Sequence, residues 1–219
     1  MRVVRRHLGM LFMLGLCTPL LWAQTNAGAG PPAKPEAKPN PWEYNLSVSG
    51  YIVPHQEGYV SPTLTADRDW VHFEARYNYE AQRTGSLWAG YNFHAGKTVQ
   101  LEATPMVGGV FGQVNGGAPG LEFTVTYKKL QFFSANEYIF DTDTKAGNFF
   151  YTWTQLTYSP VKGFMAGYVV QRTRAYQTPL DVQRGPLVGF SHKKMQFSTQ
   201  FFNIGETDPT INLSVGYSF

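Results

Sequence analysis

The chain has 219 residues, 43 % of them hydrophobic and 16 % aromatic, with 18 lysines and arginines, 15 aspartates and glutamates and one cysteine. Three of the arginines (Arg2, Arg5, Arg6) and Cys17 fall within the first 23 residues, which leaves 15 basic against 15 acidic residues beyond them. That balance excludes the basic footprint of a nucleic-acid binder, and a chain without further cysteine excludes disulfides and thiol chemistry.

Residues 1–23 read as a secretory signal peptide: a positive start, the apolar run "LGMLFMLGLCTPLLW" and a small residue, Ala23, at the cleavage point. Leu21 is bulkier than the small-x-small pattern prefers, and "LGLC" at Cys17 has a lipoprotein-like alternative in which that cysteine is lipid-anchored. Residues 24–41, "QTNAGAGPPAKPEAKPNP", hold no apolar side chain larger than alanine. They cannot bury enough surface to offset their ordering entropy, and read as a disordered periplasmic leader, with a tether as the functional alternative.

From Trp42 onward the recurring pattern is alternation. In "VHFEARYNYEA" the set Val71, Phe73, Ala75, Tyr77, Tyr79 opposes His72, Glu74, Arg76, Asn78, Glu80, the signature of a long two-faced strand. The same pattern predicts strands over 43–53, 58–66, 69–81, 86–94, 97–111, 120–128, 130–141, 148–158, 163–174, 184–192, 194–204 and 210–219, twelve in all, with ten as the alternative. Pro105 followed by Gly108 and Gly109 predicts a bulge in the fifth. The faces over 130–141 and 148–174 stay open, because a bulge inverts alternation.

Tight connections ("ADRD", "HAGK", "KKL", "SPVKG", "HKK") alternate with longer ones rich in Gly, Asp and Pro ("PHQEG", "QRTGS", "GQVNGGAPG", "DTDTKAG", "AYQTPLDVQ", "GETDP"). Short turns on one side and longer loops on the other, joined by strands of roughly 9–13 residues, are the pattern of an all-β, transmembrane, antiparallel up-and-down barrel over 42–219. A soluble barrel alternates too, so the faces decide. One set is strongly polar, the other apolar without any helix to cover it, and aromatics collect toward strand ends: Trp42, Trp70, Phe93, Tyr127, Tyr158, Phe164, Tyr217 and Phe219 toward the short turns, Tyr79, Phe111, Tyr138, Phe140 and Phe149 toward the long loops.

The last strand, "INLSVGYSF", alternates to its final aromatic residue. With the signal peptide and the even strand count, it resembles bacterial outer-membrane β-barrel proteins, a porin-like class. The resemblance implies a Gram-negative outer membrane, a lipid environment, and an assembly machinery that reads Tyr217 and Phe219. It also implies periplasmic short turns and external long loops.

Twelve strands about 4.8 Å apart and tilted by about 40° enclose a backbone radius of roughly 12 Å, which side chains either fill or leave open. His72, Glu74, Arg76, Glu80, Glu102, Glu122, Lys128 and Glu137 fall on the inward set. They either pair among themselves or line a water-filled path and set its selectivity. Hairpin counting places Arg76 level with Tyr91 and Gln100, with Gly90 leaving room for a cross-lumen bridge toward Gln100 or Glu102. Trp88, Tyr151 and Trp153 read as inward filler, or as a sugar-stacking track. Arg172, Arg174 and Arg184 gather near a long loop with Asp181 between them, as an anion-attracting mouth, a neutral pairing with that acid or a contact with the acidic outer leaflet.

Catalysis by a lipid-facing serine needs a histidine beside it; Ser191 and His192 are neighbours on a strand and point to opposite faces. Metal-ligand spacing, phosphate loops and nucleotide fingerprints are absent, so neither an enzyme nor a cofactor is expected. The sequence favours a passive or weakly selective channel for small polar solutes or ions. The alternative is a filled barrel serving as a scaffold, adhesin or receptor through its external loops.

Overall fold

The computed structural model describes residues 41–54, 57–143, 147–175, 180–206 and 209–219. The signal peptide and all of the leader except Pro41 lie outside them, as does His55. Alternating sequence with β-branched and aromatic residues gives thirteen strand segments: β1 Glu43–Ile52, β2 Tyr59–Arg68, β3 Val71–Tyr77, β4 Thr84–Tyr91, β5 Phe93–Ala95, β6 Val99–Gly112, β7 Gly116–Tyr127, β8 Leu130–Asp141, β9 Phe149–Tyr158, β10 Phe164–Ala175, β11 Asp181–His192, β12 Met195–Phe202 and β13 Thr210–Ser218.

Apart from β4 and β5, sequence-adjacent strands pair antiparallel, and β13 returns to β1, so the sheet closes. β4 and β5 both pair with β6 and are two halves of one strand interrupted at Asn92, which makes the barrel twelve-stranded. At the seam Ser49 lies opposite Ser214 with their hydroxyls 2.7 Å apart, and Tyr44 and Phe219 exchange both backbone hydrogen bonds (3.2 and 3.0 Å). Lipid supplies no hydrogen bonds, and this closure leaves no sheet edge to it.

The outward set is apolar and exposed: Leu64, Phe73, Leu87, Val107, Leu121, Leu156, Tyr168, Val188, Phe197 and Leu213 among others. No helix among the described residues is long and apolar enough to cross a membrane. Most of the expected ring belt at the short turns is in place, with Trp70, Phe93, Tyr127, Tyr158, Phe164, Tyr217 and Phe219 exposed. At the other end Phe111 and Phe140 point out, joined by Tyr77 and Phe150. Tyr79 and Phe149, expected in that belt, are instead buried inside.

Three strand readings need correction. The third strand stops at Tyr77 and not at 81: Asn78 takes a left-handed backbone (φ 52°), its amide N–H donates to Thr84 O, and its side-chain oxygen accepts from the Arg83 N–H at 2.7 Å. Asparagine tolerates that conformation better than most residues, so the turn starts there. The segment "GQVNGGAPG" is mostly strand, since β6 and β7 stay paired up to Val110 and Gly116 and Asn115 closes the turn onto Gly112. Finally, β6 has no bulge. It keeps one register with β7 from Val99–Tyr127 to Val110–Gly116, and Pro105, which has no N–H to donate, interrupts its partner strand instead.

On β8 and β9 alternation persists, turning Phe133, Ala135, Glu137, Ile139, Tyr151, Trp153 and Gln155 inward. The outward phase there carries polar residues. Asn136 donates to Ser134 Oγ (3.0 Å) and accepts from Thr152 Oγ1 (2.8 Å), and Ser134 and Thr154 hydroxyls lie 3.2 Å apart.

Candidate functional site in the barrel interior

The interior is crossed by one chain of polar and charged side chains in contact with one another. It begins on β6, where Thr104 Oγ1 donates to Asn92 Oδ1 (2.8 Å), and Asn92 Nδ2 donates to Asp67 Oδ1 (3.0 Å). Asp67 meets His72 Nδ1 at 2.6 Å, and His72 Nε2 lies 3.5 Å from Glu74. Glu74 then flanks Arg76, with Oε1 3.1 Å from Nε and Oε2 3.1 Å from Nη2.

Arg76 is the hub. Its Nη1 donates to Glu137 Oε2 (2.7 Å) and Glu80 Oε1 (3.3 Å), and Nη2 lies 3.5 Å from Glu122 Oε1. The guanidinium is stacked between two rings, 4.4 Å from the Tyr79 centroid and 4.6 Å from that of Trp88. Rings above and below and carboxylates around the edge suit a planar, delocalised cation better than a lysine ammonium. The side chain is 1 % exposed.

Local sequence explains each position. Alternation along β3 aims His72, Glu74 and Arg76 inward, and β7 and β8 supply Glu122 and Glu137 across the lumen. Trp88 can lie flat because the wall beneath it is glycine: a Cβ on Gly108 would come within 2.4 Å of the indole, and one on Gly120 within 2.9 Å. The bridge foreseen from Arg76 therefore exists, but it reaches Glu122 and Glu137 in place of Gln100 or Glu102. The observed register is Arg76 with Ser86, not with Tyr91, because the turn after β3 begins earlier, and the room comes from Gly108 and Gly120 rather than Gly90.

Of the eight residues expected to line the lumen, His72, Glu74, Arg76, Glu80, Glu122 and Glu137 come together in this cluster. Glu80 gets there by a different route, carried in by the turn after β3; its carboxylate accepts from Ser86 Oγ (2.6 Å) and Trp88 Nε1 (3.3 Å). Glu102 lies away from the cluster, partly buried, 3.9 Å from the exposed His94. Lys128 needs correction: it sits in the turn between β7 and β8 with φ 54°, exposed, its ammonium 5.2 Å from the Tyr127 ring. Tyr217 and Phe219 point outward with rings stacked at 5.8 Å.

Sequence reasoning missed Asp67, Asn92 and Thr104. Asp67 was legible as the next member of the series Ser61, Thr63, Thr65, but it stood in a stretch read as a turn. The Asp67–His72 pair has the look of the orienting half of a catalytic triad, yet His72 is fully buried and its second nitrogen faces a carboxylate, not a hydroxyl.

Trp88, Tyr151 and Trp153 are inward and buried, as expected, within a larger apolar cluster that includes Tyr51, Tyr79, Ile139, Phe149, Val169, Leu187 and Phe202. Tyr79 meets Tyr151 edge-on at 5.6 Å, and Trp153 meets Phe202 likewise at 5.6 Å. At the short turns a cavity of about 430 Å³ is lined in part by the inward Thr126, Gln131, Thr157, Met165, Ser191 and Gln196.

A closed twelve-stranded antiparallel barrel with an apolar exterior and a charged, filled interior has the fold of outer-membrane β-barrels. Among solved structures it is similar to the KdgM porin, with TM-score 0.57 and 13 % identity over 80 % of this chain and 99 % of that one. The KdgM porin in complex with disordered oligogalacturonate gives TM-score 0.56 and 12 % identity over the same shares. Omp33 of Acinetobacter baumannii gives 0.49 and 11 % identity over 81 % and 98 %. No protein-family model matches the chain, and no curated protein matches it.

Proposed function

We propose that the protein is a narrow outer-membrane channel for small polar solutes or ions, with the cluster around Arg76 as its constriction and a preference for cations. The observation that carries this reading is the charge imbalance at the waist. Asp67, Glu74, Glu80, Glu122 and Glu137 face the interior against one arginine and one histidine. Such a site attracts cations and repels anions through a low-dielectric wall that does little to screen it. The KdgM porin has been seen with oligogalacturonate; a polyanion is a poor match to this interior, so the shared fold supports a channel and not that solute. The short turns face the periplasm, the long loops face outward, and Tyr217 and Phe219 serve the assembly machinery from the lipid-facing side.

A second reading, a filled barrel acting as a scaffold through its external loops, is favoured by the near-complete burial of the waist: Arg76 is 4 % exposed and Ser49 and Asn212 are fully buried. Single-channel recording in planar bilayers separates the two. The channel reading expects small currents with cation over anion preference, and Glu122→Gln/Glu137→Gln should bring the permeability ratio toward unity. Folded protein, shown by heat-modifiable gel mobility, that carries no current would leave the scaffold reading standing.

A further inference from the structure

Three arginines stand on the outside of the barrel, where the wall should be apolar. On β10 the inward phase holds Gly167, Val169, Gln171 and Thr173; Arg172 and Arg174 are on the opposite phase and exposed, as is Arg184 on β11. Arg172 is in register with Val182, so Arg184 is its diagonal neighbour across the pair, and Arg174 lies two residues further along the same strand. Diagonal neighbours on one face of a sheet are about 7–8 Å apart. The three guanidiniums therefore form one patch at the long-loop end.

Among the described residues no ion pair is found for any of the three, and the nearest acid in sequence, Asp181, is in register with Thr173 on the other phase of the strand. The patch is also not an isolated substitution in an oily wall. Arg172 is in register with Thr152, and Thr152 with Asn136, whose side chains hydrogen-bond to each other, so a polar strip runs from the arginines across β9 to β8. Exposed Tyr168, Val188 and Phe150 border it and offer an apolar wall for acyl chains. Cationic side chains at lipid level are retained when an anionic headgroup meets them, and guanidiniums bind phosphate in a forked, two-bond geometry.

We infer that this face is a docking site for a phosphorylated glycolipid of the outer leaflet, its phosphates held by Arg172, Arg174 and Arg184 and its chains against the neighbouring apolar residues. The inference rests on the external placement of the long loops and is independent of whether the lumen conducts.

The test measures binding of defined lipids to the detergent-purified full-length mature protein by native mass spectrometry. Probes are diphosphoryl lipid A, the same lipid with both phosphates removed, and phosphatidylglycerol. Diphosphoryl lipid A should bind on the order of a hundredfold more tightly than its dephosphorylated form, about fivefold for each arginine. Arg172→Gln/Arg174→Gln/Arg184→Gln should abolish that difference while leaving heat-modifiable mobility and any conductance unchanged. Equal binding of the two lipid A forms to wild-type protein overturns the site, and this arm decides even if the triple variant does not fold. Retention of the preference by a folded triple variant overturns the assignment to these arginines, and equal or tighter binding of phosphatidylglycerol overturns the outer-leaflet glycolipid.

Discussion

Gly108 and Gly120 matter for what they lack. Their bare Cα atoms are the floor on which Trp88 lies, and Trp88 in turn is one of the two rings that hold Arg76. Gly108→Ala places a methyl where the indole now sits, and overpacking of that kind costs about 1–3 kcal/mol. The urea midpoint of the heat-modifiable band should fall accordingly, and Trp88→Ala in the same background should recover part of the loss, since it removes the clash. Arg76→Met should be harsher: with the cation gone four carboxylates share a buried pocket, a loss of about 3–5 kcal/mol in the same assay. Most of this site was legible, because period-two alternation alone aims Glu74, Arg76, Glu122 and Glu137 inward. What alternation does not encode is a chain that leaves the strand. Glu80 was assigned to the interior as a strand residue and reaches it through a turn, while Lys128, in phase with Glu122, ends up on a rim. Partners also escaped it, since which acid meets Arg76 depends on register four strands away.

Strand existence and order were readable for a similar reason, and strand ends were not. Asn78, Asn115 and Pro105 shift boundaries by a few residues through backbone conformation and hydrogen-bond donors, and those effects are silent in a pattern of polar and apolar letters. The closing pair is the element on which the barrel depends, and its register is specific. Ser49→Cys/Ser214→Cys should form an interstrand disulfide, because those residues are directly opposed at the seam. Ser47→Cys/Ser214→Cys should not, since Ser47 is opposed to Gly216. Gel mobility with and without reductant reads the difference, and crosslinking of the second pair in place of the first would mean a seam shifted by two residues.

For the molecule as a whole, the decisive question is how the interior is closed. The turn from Asn78 to Arg83 carries Tyr79 and Glu80 inward, where they cap the guanidinium and reach Tyr151 on the far wall. Replacing residues 78–83 by a two-residue Asn-Gly turn should remove this plug and raise single-channel current; an unchanged current would place the barrier among Trp153, Val169, Leu187 and Phe202 instead. The apolar cluster has one more consequence, and it concerns the order of assembly. Tyr51 comes from the first strand, Trp153 from the ninth and Phe202 from the twelfth segment, so their common core cannot form while the sheet is still an open ribbon. A half-inserted chain would hold these rings in water. Closure of the seam and collapse of the interior must therefore occur together, which makes the final pairing of β1 with β13 the step that commits the protein to its folded state.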